Sequence, residues 1–202
     1  MELTSFKTIE KAVEAVLFKE RKSKFFAYAY PLDSEDSVKT IVAHLKKNYP
    51  TANHVCYAWQ LGIDQPQYRA NDDGEPNNSA GQPIYGQIQA YGVTNIAVFV
   101  VRIFGGTKLG VGGLITAYKT AAQLVLEEAQ IIEKERIISF ELNFDYKYLS
   151  FVMSLIKKLS ADIINQESAM KCKFILAIAI KNRDEFIHQL QQQHKIEIKS
   201  LD

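Results

Sequence analysis

Residues Asn95 to Tyr118 read NIAVFVVRIFGGTKLGVGGLITAY, and no other stretch limits the fold as strongly. It opens as a near-continuous apolar run from Ile96 to Phe104. It then breaks into five glycines (Gly105, Gly106, Gly110, Gly112 and Gly113) and resumes with helical periodicity from Leu114. Strand, glycine loop and helix, in that order, present free backbone N–H groups at a helix N-terminus, where an anion can sit. Glycines permit positive φ and close backbone approach, and Lys108 adds one mobile positive charge inside the loop.

The familiar phosphate-loop templates do not fit. A Walker loop needs Lys directly after its second spaced glycine, and Gly110 is followed by Val111; the dinucleotide fingerprint needs a glycine where Ile115 stands. The glycines therefore either build an anion site outside those templates or only permit tight strand-to-helix packing. Five glycines and a lysine exceed what a structural turn needs.

The chain has 202 residues, enough for one large or two small domains. A net charge of +1, from 24 basic and 23 acidic residues, gives no broad basic footprint, so any nucleic-acid contact must come from a local patch. The N-terminus, MELTSFKTIE, lacks a signal-peptide pattern, and no apolar run approaches the ~20 residues of a membrane helix. Cys56 and Cys172 lie far apart and form no metal-type pair. These features predict a reduced, cytoplasmic protein with no membrane partner.

Residues 12–20 and 24–31 alternate as two strands joined by the charged turn Glu20-Arg21-Lys22-Ser23. On the second, Phe26, Tyr28 and Tyr30 share one face. Beside Lys22 and Lys24 they could stack on bases, but cross-strand packing is the commoner use. Ser34, Glu35 and Asp36 read as a helix start, with Val38, Ile41, Val42 and Leu45 as its apolar stripe and Tyr49-Pro50 as its end. Residues 53–61 read as a strand that puts His54 and Cys56 on one face. That pair is conceivable as a nucleophilic dyad, yet nothing nearby completes a triad, and adjacent strand side chains usually only pack.

Residues 62–82 form a polar passage without periodicity, a length usually functional or disordered. It carries three clustered carboxylates, Asp72, Asp73 and Glu75, in a turn set by Gly74 and Pro76. They could hold magnesium with waters completing the shell. Equally, they could cap backbone amides and pair with Arg69, Arg102 or Lys108. Arg102 interrupts the apolar strand near its end, where a buried guanidinium requires a carboxylate. Ser79 and Pro83 open a helix reaching about Tyr91, with Gly92 as its stop. After the glycine loop a helix runs to about Gln130, and residues 131–136 read as the link between domains.

The remainder reads as strand 137–144, helix 146–160, strands 161–166 and 171–180, helix 183–193 and a last strand near 195–200. That βαββαβ order is the ferredoxin-like split unit. The chain is thus expected to be α+β, with a first domain over 1–132 and a second over 137–202.

Two blocks carry a resemblance: RANDDGEPNNSAGQPI (Arg69 to Ile84) and VVRIFGGTKLGVGGLITAY (Val100 to Tyr118). With KSKF (Lys22 to Phe25) and HVCYAW (His54 to Trp59), they make the chain similar to bacterial members of the IMPACT family, the YigZ type. Ile103 and Thr116 depart from that pattern, standing where the family usually has Tyr and Arg. The resemblance implies a first domain like ribosomal-protein domains and the fourth domain of elongation factor G. It implies a second like that factor's fifth domain. Eukaryotic relatives act in translational control, by competing for a partner of the kinase that phosphorylates an initiation factor.

One expectation is therefore a non-enzymatic regulator that binds RNA, the ribosome or a translation-associated protein. Arg69, Arg102, Gly105, Gly106, Lys108, Gly110, Gly112 and Gly113 would form its anion or nucleic-acid site. The alternative is a magnesium-dependent enzyme acting on a phosphorylated small molecule or nucleotide. There Asp72, Asp73 and Glu75 would hold the metal, and His54 or Cys56 would transfer a proton or attack. A plain protein-binding module is the third.

Overall fold

A computed structural model describes residues 3–193 and 195–201. The chain divides into two compact units, Phe6–Lys134 and one formed by the remaining described residues.

In the first unit, strands β2 (Val13–Glu20), β3 (Ser23–Pro31), β4 (His54–Leu61), β5 (Gln67–Asn71) and β6 (Ile96–Ile103) form one sheet in the order β2-β3-β6-β4-β5. Every neighbouring pair is antiparallel. Because β3 and β4 both run against β6, they run alike, and helix α1 (Asp36–Asn48) crosses between them while β6 fills the gap. The apolar run of β6 makes sense at this central position. Ile96, Val98 and Val100 face one core and Ala97, Phe99 and Val101 the other, all fully buried. Helices α2 (Gly81–Tyr91) and α3 (Gly110–Glu128) cover the first face, and Val38 and Leu45 of α1 cover the second.

Several local expectations hold. Phe25, Ala27 and Ala29 separate from Phe26, Tyr28 and Tyr30 onto opposite cores. Arg21 and Lys22 take positive φ of 42° and 69°, the conformation a two-residue hairpin turn of matching twist requires. Gly92 ends α2 in the left-handed region.

Others are corrected. The polar passage holds the edge strand β5, hidden because Gln67, Tyr68 and Arg69 are exposed and show no alternation. Ser34 does not cap α1; Glu35 occupies the cap position without a side-chain bond. Residues 131–136 are largely a strand, β7 (Ile131–Glu135), which pairs with β1 (Ser5–Ile9). Helix α3 begins at Gly110, four residues before its apolar stripe, so three of the five glycines lie in its first turn.

In the second unit, β8 (Ile137–Asp145), α4 (Leu149–Leu159), β9 (Asp162–Glu167), β10 (Lys171–Ala179), α5 (Arg183–Gln191) and β11 (Glu197–Ser200) follow the expected βαββαβ order. The sheet order is β11-β8-β10-β9, antiparallel throughout. Val152, Ile156 and Leu159 of α4 and Phe186 and Leu190 of α5 pack with Phe140, Leu142 and Phe174. Among the described residues, no helix is long and apolar enough to cross a membrane.

Candidate functional site

Strand register brings the chemistry together at the end of the first unit's sheet. Arg102 of β6 lies between Phe25 of β3 and His54 of β4, its Cα partners on either side. All three point to the face covered by α2 and α3, so the guanidinium is enclosed; Arg102 is 6% exposed. Its Nη1 donates to Glu75 Oε1 at 2.6 Å, and the Tyr118 hydroxyl of α3 donates to the same oxygen at 2.7 Å. The two sequence blocks thus meet in one buried cluster. Its stacking partners are Phe25 and Phe104, whose ring centroids lie 5.7 and 5.5 Å from the guanidinium carbon.

His54 closes one side. Its Nδ1–H donates to the Asp73 carbonyl at 2.8 Å, which leaves Nε2 directed toward Glu75, 3.9 Å away. Cys56 lies deeper: its S–H reaches the Asp72 carbonyl at 3.1 Å or the Tyr118 hydroxyl at 3.4 Å. Burial pushes the Cys56 thiol well above its ordinary value, and burial likewise raises the Tyr118 phenol. A thiol held neutral is a packing group and a weak nucleophile.

The three carboxylates serve different donors. Asp72 accepts from the amides of Asn78, Ala80 and Gly81, so it caps α2 from eight residues upstream of the helix-cap residue Ala80. Asp73 accepts from the Val55 amide and from Lys46. Glu75 holds Arg102 and Tyr118. Among the described residues, no group of three or more His, Cys, Asp and Glu is placed to hold a metal ion. Of the two readings open for these carboxylates, magnesium binding or caps and ion pairs, the hydrogen bonds follow the second. Among the cluster's expected partners only Arg102 is taken up; Arg69 pairs with Glu35 on the surface instead, at 3.1 Å, and is not brought to the site.

The glycines divide by task. Gly105 sits against the β2–β3 turn so closely that a Cβ would lie 2.0 Å from the Lys22 carbonyl carbon, and its amide donates to Ser23 Oγ. Gly106 and Gly110 take positive φ of 85° and 72°. Gly112 and Gly113 occupy the first turn of α3, whose N-terminus carries no side-chain cap. Beside that turn opens a cavity of about 370 Å³ whose walls include His54, Glu75, Arg102, Phe104, Lys108 and Gly110. Lys108 is exposed at its edge. The Nε of Arg102 is buried and has no hydrogen-bond partner among the described residues. A buried donor without an acceptor is rare, and the residue that carries it lines the cavity beside uncapped helix amides. Thr116, where the family pattern has Arg, donates to the Gly112 carbonyl and lines a smaller cavity with Phe18 and Arg21.

Tyr118 and Phe104 are the site residues that sequence reasoning missed. Tyr118 falls on the apolar stripe of an amphipathic helix and reads as core, and only a buried carboxylate in need of donors could have singled it out.

Comparisons with known proteins agree on what kind of chain this is. A family model, the Impact N-terminal domain, matches residues 21–126, which holds the whole cluster. An IMPACT family member of Haemophilus influenzae is 32% identical over 183 residues, 89% of each chain. IMPACT family member YigZ of Escherichia coli is 32% identical over 149 residues, 73% of each chain. A crystal structure of a hypothetical protein is similar over 100% of this chain and 99% of its own, with 27% identity and a TM-score of 0.76. The resemblance carried by the two blocks is thereby established, and the chain belongs to the IMPACT family, as a member of the bacterial YigZ type.

Proposed function

We propose that this chain is a non-enzymatic, translation-associated regulator that engages RNA, on the ribosome or bound to a translation-related protein, through the cavity at the start of α3. One observation carries the reading: the buried Arg102 with its unpartnered Nε, the exposed Lys108 and the uncapped N-terminus of α3 all border one cavity. Each favours an anion, and a phosphate supplies acceptors for Lys108 and for the helix amides. Arg21 and Lys22, exposed on the turn that Gly105 abuts, extend positive charge beside the loop without raising the chain's net charge.

Family membership supports the translational setting, since the eukaryotic relatives act in translational control. The β3-α1-β4 crossover around β6 and the βαββαβ second unit are compatible with the implied kinship to domains of ribosomal proteins and elongation factor G. A binding role is favoured over catalysis because Cys56 is buried and held neutral, a weak nucleophile, while His54, fixed by its Nδ1–H bond to the Asp73 carbonyl, turns Nε2 toward Glu75.

Sedimentation of a cell lysate through a sucrose gradient tests the reading. The protein is expected to migrate with ribosomal particles at low salt and to leave them as salt rises, because phosphate contacts release counterions. Lys108→Glu is expected to stay at the top of the gradient under both conditions. Wild type at the top at low salt, or Lys108→Glu still on the particles, overturns it.

A further inference from the structure

We propose that the cavity beside α3 takes a single unpaired nucleotide, with its phosphate on the N-terminal amides of α3 and Lys108 and its base on the exposed side of Phe104. The inference rests on the RNA-binding reading above and narrows it from any phosphate to an unstacked nucleotide.

Phe104 is the reason. It follows a fully buried run yet is 41% exposed. Its position is not that of a loose loop tip: its amide donates to Asn53 Oδ1 at 3.2 Å, and the next amide to Ser23 Oγ at 3.2 Å. The Arg102 guanidinium sits against the ring on the protein side. A ring fixed by its backbone and backed by a buried cation is a stacking platform, and every nucleobase offers a π-face to it.

The rest of the rim fits the same ligand. Val111, in the first turn of α3, is 52% exposed and lines the cavity together with Leu109 and Leu114. A site for a bare phosphate needs no such apolar edge, whereas a nucleoside buries its sugar and base edges against one. The volume of about 370 Å³ falls in the range of small-ligand pockets, roughly 300–1,000 Å³. Stacking then selects the strand state. Phe104 presents its ring at the cavity wall, so a base held in a duplex between its stacked neighbours does not reach it. An extruded or unpaired nucleotide does, which is how RNA is commonly read. Glu75 does not spoil the site for a phosphate, because its carboxylate already answers Arg102 and Tyr118.

The test uses the full chain and measures fluorescence anisotropy on a labelled single-stranded RNA and on the duplex of the same sequence. The single strand is expected to bind more tightly, and Phe104→Leu to lose about tenfold on the single strand alone, since aromatic stacking contributes at that level. A second variant, Phe104→Trp, gives a direct readout, because the only native tryptophan, Trp59, is buried on the opposite face of the sheet. Adenosine 5′-monophosphate is expected to quench the introduced indole at lower concentration than adenosine, and inorganic phosphate not to quench it. If Lys108→Glu weakens binding of both RNAs while Phe104→Leu weakens neither, the RNA contact stands and the nucleotide subsite is wrong. If Lys108→Glu changes nothing, both readings fall. Equal affinity for single strand and duplex overturns the inference, as does quenching by an acidic peptide as strong as that by the nucleotide.

Discussion

Arg102 and Glu75 form a buried ion pair, Nη1 to Oε1 at 2.6 Å, that joins the end of the central strand to the turn before α2. Both side chains are more than nine-tenths buried. Neither charge can be removed alone without stranding the other in a medium that solvates it poorly. The pair also explains why the acidic turn is folded against the glycine-loop end of the sheet, since Tyr118 and His54 approach the same carboxylate.

Glu75→Ala is therefore expected to destabilise the first unit by about 3–5 kcal/mol, the cost of leaving a guanidinium and a phenol without their acceptor. Urea unfolding with the midpoint and slope both recorded checks this. The double variant Glu75→Leu with Arg102→Met is expected to recover much of the loss, because it removes both charges and keeps the volume. A double variant as unstable as Glu75→Ala would show that packing, not the unpaired charge, sets the cost.

Asp72 is predicted to act as a remote helix cap. Its carboxylate takes the Asn78, Ala80 and Gly81 amides, while the cap residue Ala80 has no side chain able to do so. Asp72→Ala is expected to cost about 1–2 kcal/mol, and Asp72→Asn less, since the amide oxygen keeps part of the acceptor role. Thermal melts of the two variants at neutral pH make the comparison. Equal losses would mean that charge at the helix N-terminus outweighs the hydrogen bonds.

Much of the first unit was legible because its elements obey simple periods. The alternation of 24–31 separated Phe25 from Phe26, and the stripe Val38, Ile41, Val42, Leu45 named the buried face of α1. The site was legible in part. A guanidinium inside an apolar strand demands a carboxylate, so Arg102 pointed to the acidic turn. Which of the three carboxylates answers it depends on register across strands that are distant in sequence. What misled was local. Tyr68 and Arg69 sit on a solvent-facing edge strand and lack alternation. The low helix propensity of Gly110, Gly112 and Gly113 hid the first turn of α3. Strands β1 and β7 are short and pair across more than a hundred residues of sequence, so neither shows its partner locally.

The glycines should separate under substitution by alanine. At Gly105 a Cβ would meet the Lys22 backbone at 2.0 Å, and backbone cannot step aside as a side chain can. Gly105→Ala is expected to displace the β2–β3 turn and to lower the melting temperature sharply. Gly112 lies within α3 with nothing near its would-be Cβ. Gly112→Ala is expected to stabilise by about 0.5–1 kcal/mol through helix propensity. Denaturant melts of the pair decide it, and a destabilised Gly112→Ala would mean that the first turn of α3 is not helical in solution.

The buried thiol and phenol make stability depend on alkaline pH. Cys56 and Tyr118 are acids whose folded values are raised by burial above their ordinary 9.0 and 10.0. Below those values both states keep the protons, and the full stability is present. As pH rises past them the unfolded chain ionises and the folded chain does not, so the unfolded state binds fewer protons and stability falls. Each group contributes a slope of up to about 1.4 kcal/mol per pH unit once its unfolded form titrates. Tyr28 and Tyr30, raised by burial and by hydrogen bonds to Tyr49 and Glu14, add to the same decline. Unfolding free energies measured between about pH 8 and pH 10.5 are expected to drop with a steepening slope, and Tyr118→Phe to flatten the upper part. A profile that stays level across that range would mean that water reaches the thiol and the phenol in the folded protein.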